Sequence, residues 1–257
     1  MDHCEFAISV TNLTFYYFTP VKTLQNHLPW RRVRLERNVA LDHVELNIRR
    51  NKITGLLGRN GSGKTTLIKL MTGIRLAQSG EVRIFGLSPS KVPHRIGLCL
   101  GNTLIYYRLT ARENLEYFGR LYGVSSLPNR IKELADLLDL TSHLDQMVET
   151  FSFGMKAKLA VARSLIHSPD LLILDEPTLG IDLDFAVFIR RFIRSLKCTV
   201  VFTTHYMEEA DFLADDLCLI DHGRIVQHGE KTSVLMKYGA KSVPEAFTNA
   251  LIRTKVA

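Results

Sequence analysis

Short apolar runs recur along the chain at 53–57, 96–100, 171–174, 200–203 and 217–220, most of them bounded by Gly or Asp. Unbroken runs of this length fit strands buried on both faces. Between them lie longer stretches whose apolar positions repeat at helical spacing. Thr110 to Glu113 reads as a capping box, and Leu115, Phe118 and Tyr122 follow on one stripe until Gly123. A second helix is predicted over 128–140, with Ile131, Leu134 and Leu138 on one face. Ser152 is placed to cap a third, which runs to about His167 and is stopped by Pro169. Strands alternating with helices predict an α/β fold around a parallel sheet. The mostly helical stretch 103–160 reads as a subdomain inserted into that sheet.

Residues 18–38 stand apart. Thr19 and Pro20 read as the N-cap and first residue of a helix, with Val21, Leu24 and Leu28 on one stripe and Pro29 breaking it. Trp30 follows, and Lys22, Arg31, Arg32, Arg34 and Arg37 face a single acid, Glu36. The segment is either a solvated loop or a basic insertion that meets a membrane surface or an acidic partner.

Composition narrows the function classes. Hydrophobic residues make up 46% and charged residues 23% of 257, which excludes disordered and collagen-like chains. The net charge of +7 suits an anionic partner without naming it. Cys4, Cys99, Cys198 and Cys218 are far apart with no CxxC, as expected of reduced thiols in a cytosolic protein. No apolar run approaches the roughly 20 residues of a membrane span, and a secretion leader is not expected from MDHCEFAISV.

The chemistry gathers at strand ends. Gly58-Arg59-Asn60-Gly61-Ser62-Gly63-Lys64-Thr65 fits G-x-x-x-x-G-K-[ST] between a strand-like ITGLL and a helix-like TTLIKLM that includes Thr66. Its glycines let backbone N–H groups curl around phosphate, and the helix points its positive end there. Lys64 can reach the β- and γ-phosphates and Thr65 can ligate Mg²⁺. The run 171–174 ends in Asp175 and Glu176. Alone, two acids there are a solvated strand end; beside a phosphate loop, Asp175 can orient Mg²⁺ and Glu176 can act as general base. His205 closes another core strand, where it is either a surface histidine or a sensor of the γ-phosphate.

These motifs, in this order, resemble the ATP-binding-cassette (ABC) ATPase family: GRNGSGKTT, then Phe151-Ser152-Phe153-Gly154-Met155, LLILDEP, Leu179-Gly180-Ile181-Asp182, and His205. The resemblance covers about residues 6–230. It implies a P-loop NTPase (RecA-like) core over about 1–102 and 161–230, an antiparallel β portion, the helical subdomain and a short tail, 231–257. Little room follows the hairpin turn at 221–224, so an added regulatory domain is not expected. The resemblance implies ATP bound by residues 58–66, with Tyr17 (or its neighbour Tyr16) stacked on adenine where an isolated Tyr would be read as core. Glu176 and His205 become catalytic, Thr65 and Asp175 metal ligands, and Asp182 the D-loop acid. Ser152, Phe153, Gly154 and Met155 form the signature, which serves the opposite site of a head-to-tail homodimer.

Two departures from the family pattern matter. The signature reads FSFGM where the family has Leu-Ser-Gly-Gly-Gln. The expected Q-loop glutamine falls at Gly101 or Asn102, and Asn102 keeps the amide on a shorter arm. The Ser-x-Gly-Met form and the stretch 202–210 are similar to exporter members for drugs, lipid-linked glycans and related cargo. The expectation is an ATPase subunit at the cytoplasmic face of a membrane, using ATP and Mg²⁺, with a separate transmembrane permease and no nucleic-acid partner. The alternatives are a soluble ABC ATPase acting on ribosomes or nucleic acid, and an importer ATPase.

Overall fold

Each of the five short apolar runs forms a strand of one sheet. The computed structural model describes residues 5–20, 35–101, 104–181 and 183–256. In chain order its elements are β1 (Phe6–Pro20), β2 (Leu35–Arg49), β3 (Ile53–Leu57), α1 (Lys64–Met71), β4 (Ser79–Ile84), β5 (Ile96–Leu100), α2 (Ala111–Leu121) and α3 (Leu127–Leu137). There follow α4 (Phe153–Leu165), β6 (Leu171–Asp175), α5 (Leu183–Ser195), β7 (Thr199–Thr204), α6 (Met207–Leu213), β8 (Asp216–Asp221), β9 (Arg224–Glu230), α7 (Lys231–Tyr238) and α8 (Val243–Val256).

The larger sheet runs β5-β6-β7-β3-β8-β9, parallel except for β9. Its parallel strands are apolar on both faces because two cores sandwich them. Leu172, Leu174, Val200, Phe202, Leu217 and Leu219 face the core shared with α2–α6 and α8. Their neighbours Leu171, Ile173, Val201, Cys218 and Ile220 face a second core, shared with α1 and a three-stranded antiparallel sheet, β2-β1-β4. Parallel strands thus bring their carboxyl ends, and the loops after them, to one edge.

The capping box forms as read: the Glu113 amide donates to Thr110 Oγ1 at 3.1 Å, and the Thr110 amide to Glu113 Oε2 at 2.7 Å. The second helix is shorter than predicted. Leu138 caps it, Asp139 turns left-handed at φ 52°, and the Leu140 amide bonds back to Ala135. Ser152 does cap α4, accepting from the Met155 amide at 3.2 Å. Cys99 and Cys218 are buried free thiols and Cys198 is half-buried; Cys4 lies outside the described residues.

The predicted helix start at Thr19 and Pro20 is not found. Both residues are extended, Thr19 opposite Glu36 and Pro20 opposite Leu35, at the end of a long β1–β2 ribbon. Contacts across and along the strands hold the ribbon. Arg37 of β2 stacks on the Tyr16 ring of β1 at 3.9 Å, and on β1 itself Phe18 meets Tyr16 edge-on at 5.3 Å. Residues 18–20 and 35–38 of the basic segment belong to paired strands. The other residues singled out in this segment, among them Val21, Lys22, Leu24, Leu28 and Trp30, lie outside the described residues.

Candidate active site

The phosphate loop bridges β3 and α1. Gly63 sits at φ 106°, and a Cβ there would lie 2.7 Å from the Ala40 carbonyl oxygen, so this turn requires glycine. Arg59, Asn60 and Gly61 are exposed, whereas Ser62, Lys64 and Thr66 are buried. Lys64 Nζ donates to the carbonyls of Gly58 at 2.7 Å and Arg59 at 3.2 Å, with Glu176 Oε1 at 3.9 Å. Burial pushes the Lys64 ammonium below the usual lysine value, opposed by Glu176 and Asp175. The Ser62 hydroxyl is buried without a partner among the described residues, which fits a loop shaped to be completed by a ligand.

At the end of β6, both Asp175 oxygens are engaged. Thr65 Oγ1 donates to Oδ2 at 3.0 Å and Thr203 Oγ1 to Oδ1 at 2.6 Å. Glu176 turns left-handed at φ 53°, uncommon for a residue other than glycine. Its amide donates to Thr203 Oγ1 at 2.9 Å. Its carboxylate meets His205 Nδ1, from the end of β7, at 2.6 Å. Tyr17 reaches over from β1, its hydroxyl 3.2 Å from Thr66 Oγ1. Tyr17, Asn60, Gly61, Lys64, Thr65 and Glu176 line one cleft of about 330 Å³. Tyr16 instead lies under Arg37.

A second cleft, of about 460 Å³, separates this edge from α4 and is lined by Thr65, Gly101, Phe153, Asp175 and Glu176. Phe153 is half exposed and packs against Gly180, while Met155 packs on the helical core. Asn102 and Asp182 lie outside the described residues. Thr65 and Asp175 offer hard oxygen donors of the kind Mg²⁺ selects. Among the described residues no group of three or more His, Cys, Asp or Glu is placed to hold a metal ion.

A family model described as ABC transporter matches residues 41–179. The chain belongs to the ABC transporter family. It is an ATP-binding, ATP-hydrolysing cassette, with the P-loop NTPase fold that its motifs predict. The ABC transporter ATP-binding protein NatA of Bacillus subtilis is 35% identical over 224 residues, 83% of this chain and 91% of that protein. The Nod factor export ATP-binding protein I of Ralstonia nicotianae is 34% identical over 237 residues, 88% of this chain and 74% of that protein. An ATP-binding cassette solved as a dimer in a post-hydrolysis state with ADP and Pi superposes with a TM-score of 0.75 at 22% identity, over 87% of this chain and 98% of that one.

Within this ABC cassette, Thr203 does more than its place in an apolar strand predicts: it binds Asp175 and the Glu176 amide at once. A pair of threonines ending a buried apolar run was the available signal. Glu209, fully buried in α6, likewise has a place that the sequence pattern does not predict.

Proposed function

We propose that this cassette powers export through a separate membrane-spanning subunit, as one of two copies that close over ATP at the cytoplasmic face. The observation that carries the reading is the convergence of the phosphate loop, Asp175 and the His205-bound Glu176 on one edge of the sheet. ATP would lie with its phosphates in the loop 58–66 and its adenine toward Tyr17. Thr65 and Asp175 would hold Mg²⁺, which when bound neutralises phosphate charge. Glu176 takes a proton from the attacking water, whose oxygen bonds to the γ-phosphorus while the β–γ bridging bond breaks. His205, at hydrogen-bond distance from Glu176, aligns that carboxylate and senses the γ-phosphate.

Ser152 and Gly154 open α4, where backbone donors lack intrahelical partners. Serving the opposite site is the role that completes a half-built one, and the dimeric cassette of the same fold supports it. Asn102 and Asp182 keep their Q-loop and D-loop roles. Export is favoured over import by the FSFGM signature and by the relative named for Nod factor export. No helix among the described residues is long and apolar enough to cross a membrane; in this reading the passage itself belongs to the partner. The β1–β2 ribbon, with Phe18 and Leu35 exposed at its end, is the candidate contact with that partner or with anionic headgroups. The test is Glu176→Gln. It should bind ATP as the wild type does and lose hydrolysis by ~10²–10⁴-fold; near wild-type turnover would sink the assignment.

A further inference from the structure

We propose that Glu209 is a positioning residue for ATP hydrolysis, clamping the loop that carries Glu176 to the turn that carries His205 through the hydroxyl of Thr178. The inference rests on the reading of Glu176 as general base. Two segments meet at the sheet edge, 176–181 after β6 and 205–206 after β7. The Glu176–His205 pair joins them at the solvent-facing side. A second link lies behind it: Thr178 Oγ1 donates to Glu209 Oε1 at 2.9 Å. Thr178 is 6% exposed and Glu209 0%.

Each end of this second link is tied to the residue it would position. The Glu209 amide donates to the Tyr206 carbonyl at 3.1 Å, and the Tyr206 amide to Thr204 Oγ1 at 3.0 Å, which encloses His205 in one short turn. On the other side the Leu179 amide donates to the Glu176 carbonyl at 3.2 Å, next to Thr178. Glu176 itself holds φ 53°, a conformation that persists only where the surroundings over-determine it. Thr203 fixes its amide, and the Thr178–Glu209 bond fixes the chain beyond it.

Packing alone gives a poor account of Glu209. A buried carboxyl is costly, and an apolar side chain would fill the inner face of α6 more cheaply. Burial pushes the Glu209 carboxyl above its usual range, against the pull of the Thr204 and Thr178 hydroxyls and of Arg190; the charge of Glu176 adds to the push. The phosphate loop hangs from other elements, β3 and α1. Loss of the clamp should therefore spoil the placement of the base and leave ATP binding alone.

The experiment compares Glu209→Leu, Glu209→Gln, Thr178→Val and Thr178→Ser in the full chain. It reads kcat, KM and ATP affinity by titration, with the folded fraction of each checked by circular dichroism. Glu209→Leu and Thr178→Val should each lose about 10-fold or more in kcat at unchanged ATP affinity, since small misplacement of a reacting group is costly. Their combination should be no worse than either alone. Glu209→Gln keeps an acceptor oxygen and Thr178→Ser keeps the donor, so both should restore most of the turnover. Wild-type kcat in the folded Leu and Val variants overturns the inference. So does a parallel loss of kcat and affinity, and so does a Gln variant as poor as Leu. If Glu209→Leu does not fold, the Thr178 pair decides alone. Glu176→Gln, run alongside, separates the two claims. Retained turnover there defeats the base assignment; lost turnover there with normal Thr178→Val defeats only the clamp.

Discussion

His205 Nδ1 stands 2.6 Å from Glu176 Oε2, across 29 residues of chain. The two come from the ends of adjacent parallel strands, β6 and β7, so the pairing follows from strand order. His205→Ala should lower hydrolysis by about 10²-fold, the size of one positioned acid–base partner, while ATP affinity holds. Because the two side chains act as a unit, adding His205→Ala to Glu176→Gln should cost little more. Full additivity of the two losses in single-turnover assays would show that they act separately.

Lys64 is bonded to the carbonyls of Gly58 and Arg59, at the centre of the loop. Its expected task is to hold phosphate, so Lys64→Ala should weaken ATP binding itself, unlike the changes at Glu176 and His205. Calorimetric titration with ATP and Mg²⁺ checks this, and an unaltered affinity refutes it.

Much of this site was legible because local rules and global placement agree. GRNGSGKTT needs a strand before and a helix after, and β3 and α1 supply both. The all-apolar run before Asp175 announced a strand buried on both faces. Thr19 and Pro20 misled for a physical reason. Their local preference for a helix start is real, but Arg37 stacks on Tyr16 across the strands and stands opposite Phe18, and the ribbon wins. Thr203 and Glu209 stayed hidden because their roles depend on which strands are neighbours, a relation that periodicity does not encode.

His167 makes stability depend on pH. Its ring stacks on Tyr122 at 3.9 Å and its Nε2 meets the Ile96 carbonyl at 3.1 Å. Burial lowers its pKa below the ordinary 6.5, opposed by the Ile96 bond and reinforced by Arg130, Arg163 and His94. The unfolded chain therefore binds the proton first. This contribution is intact above the unfolded value and is lost as pH falls below it, until the folded ring also protonates. Urea midpoints should drop from about pH 7.5 to about pH 5.5, and His167→Gln should flatten that slope. An equal slope in the variant would remove His167 as its source.

If the signature serves the opposite site, two defective chains can complement. A Lys64→Ala chain spoils one phosphate loop and a Ser152→Arg chain spoils one helix cap. Mixed, they form one intact composite site of two. ATPase activity in the mixture should exceed that of either variant alone and approach half of wild type per mixed dimer. No gain, with mixed dimers demonstrated by differential tagging, counts against the head-to-tail arrangement.

The ribbon gives the partner question a sharper form. Pro20 and Leu35 face each other at its described end, and Tyr17 stands three residues before Pro20, at the ATP cleft. Residues 21–34 can therefore be replaced by a short Gly/Ser turn without touching Tyr17 or its bond to Thr66. ATP affinity and basal hydrolysis should stay as in the wild type. Recovery with the membrane partner from detergent at physiological salt should fall, because Lys22, Arg31, Arg32, Arg34 and Trp30 are removed together. Basic residues near anionic headgroups contribute roughly 1 kcal/mol each, so charge alone predicts a large, salt-sensitive loss. If binding is recovered by adding back Trp30 without the arginines, the contact is apolar and protein-borne. If the shortened chain co-purifies at wild-type yield, residues 21–34 are not the contact, and docking must be sought elsewhere on the cassette.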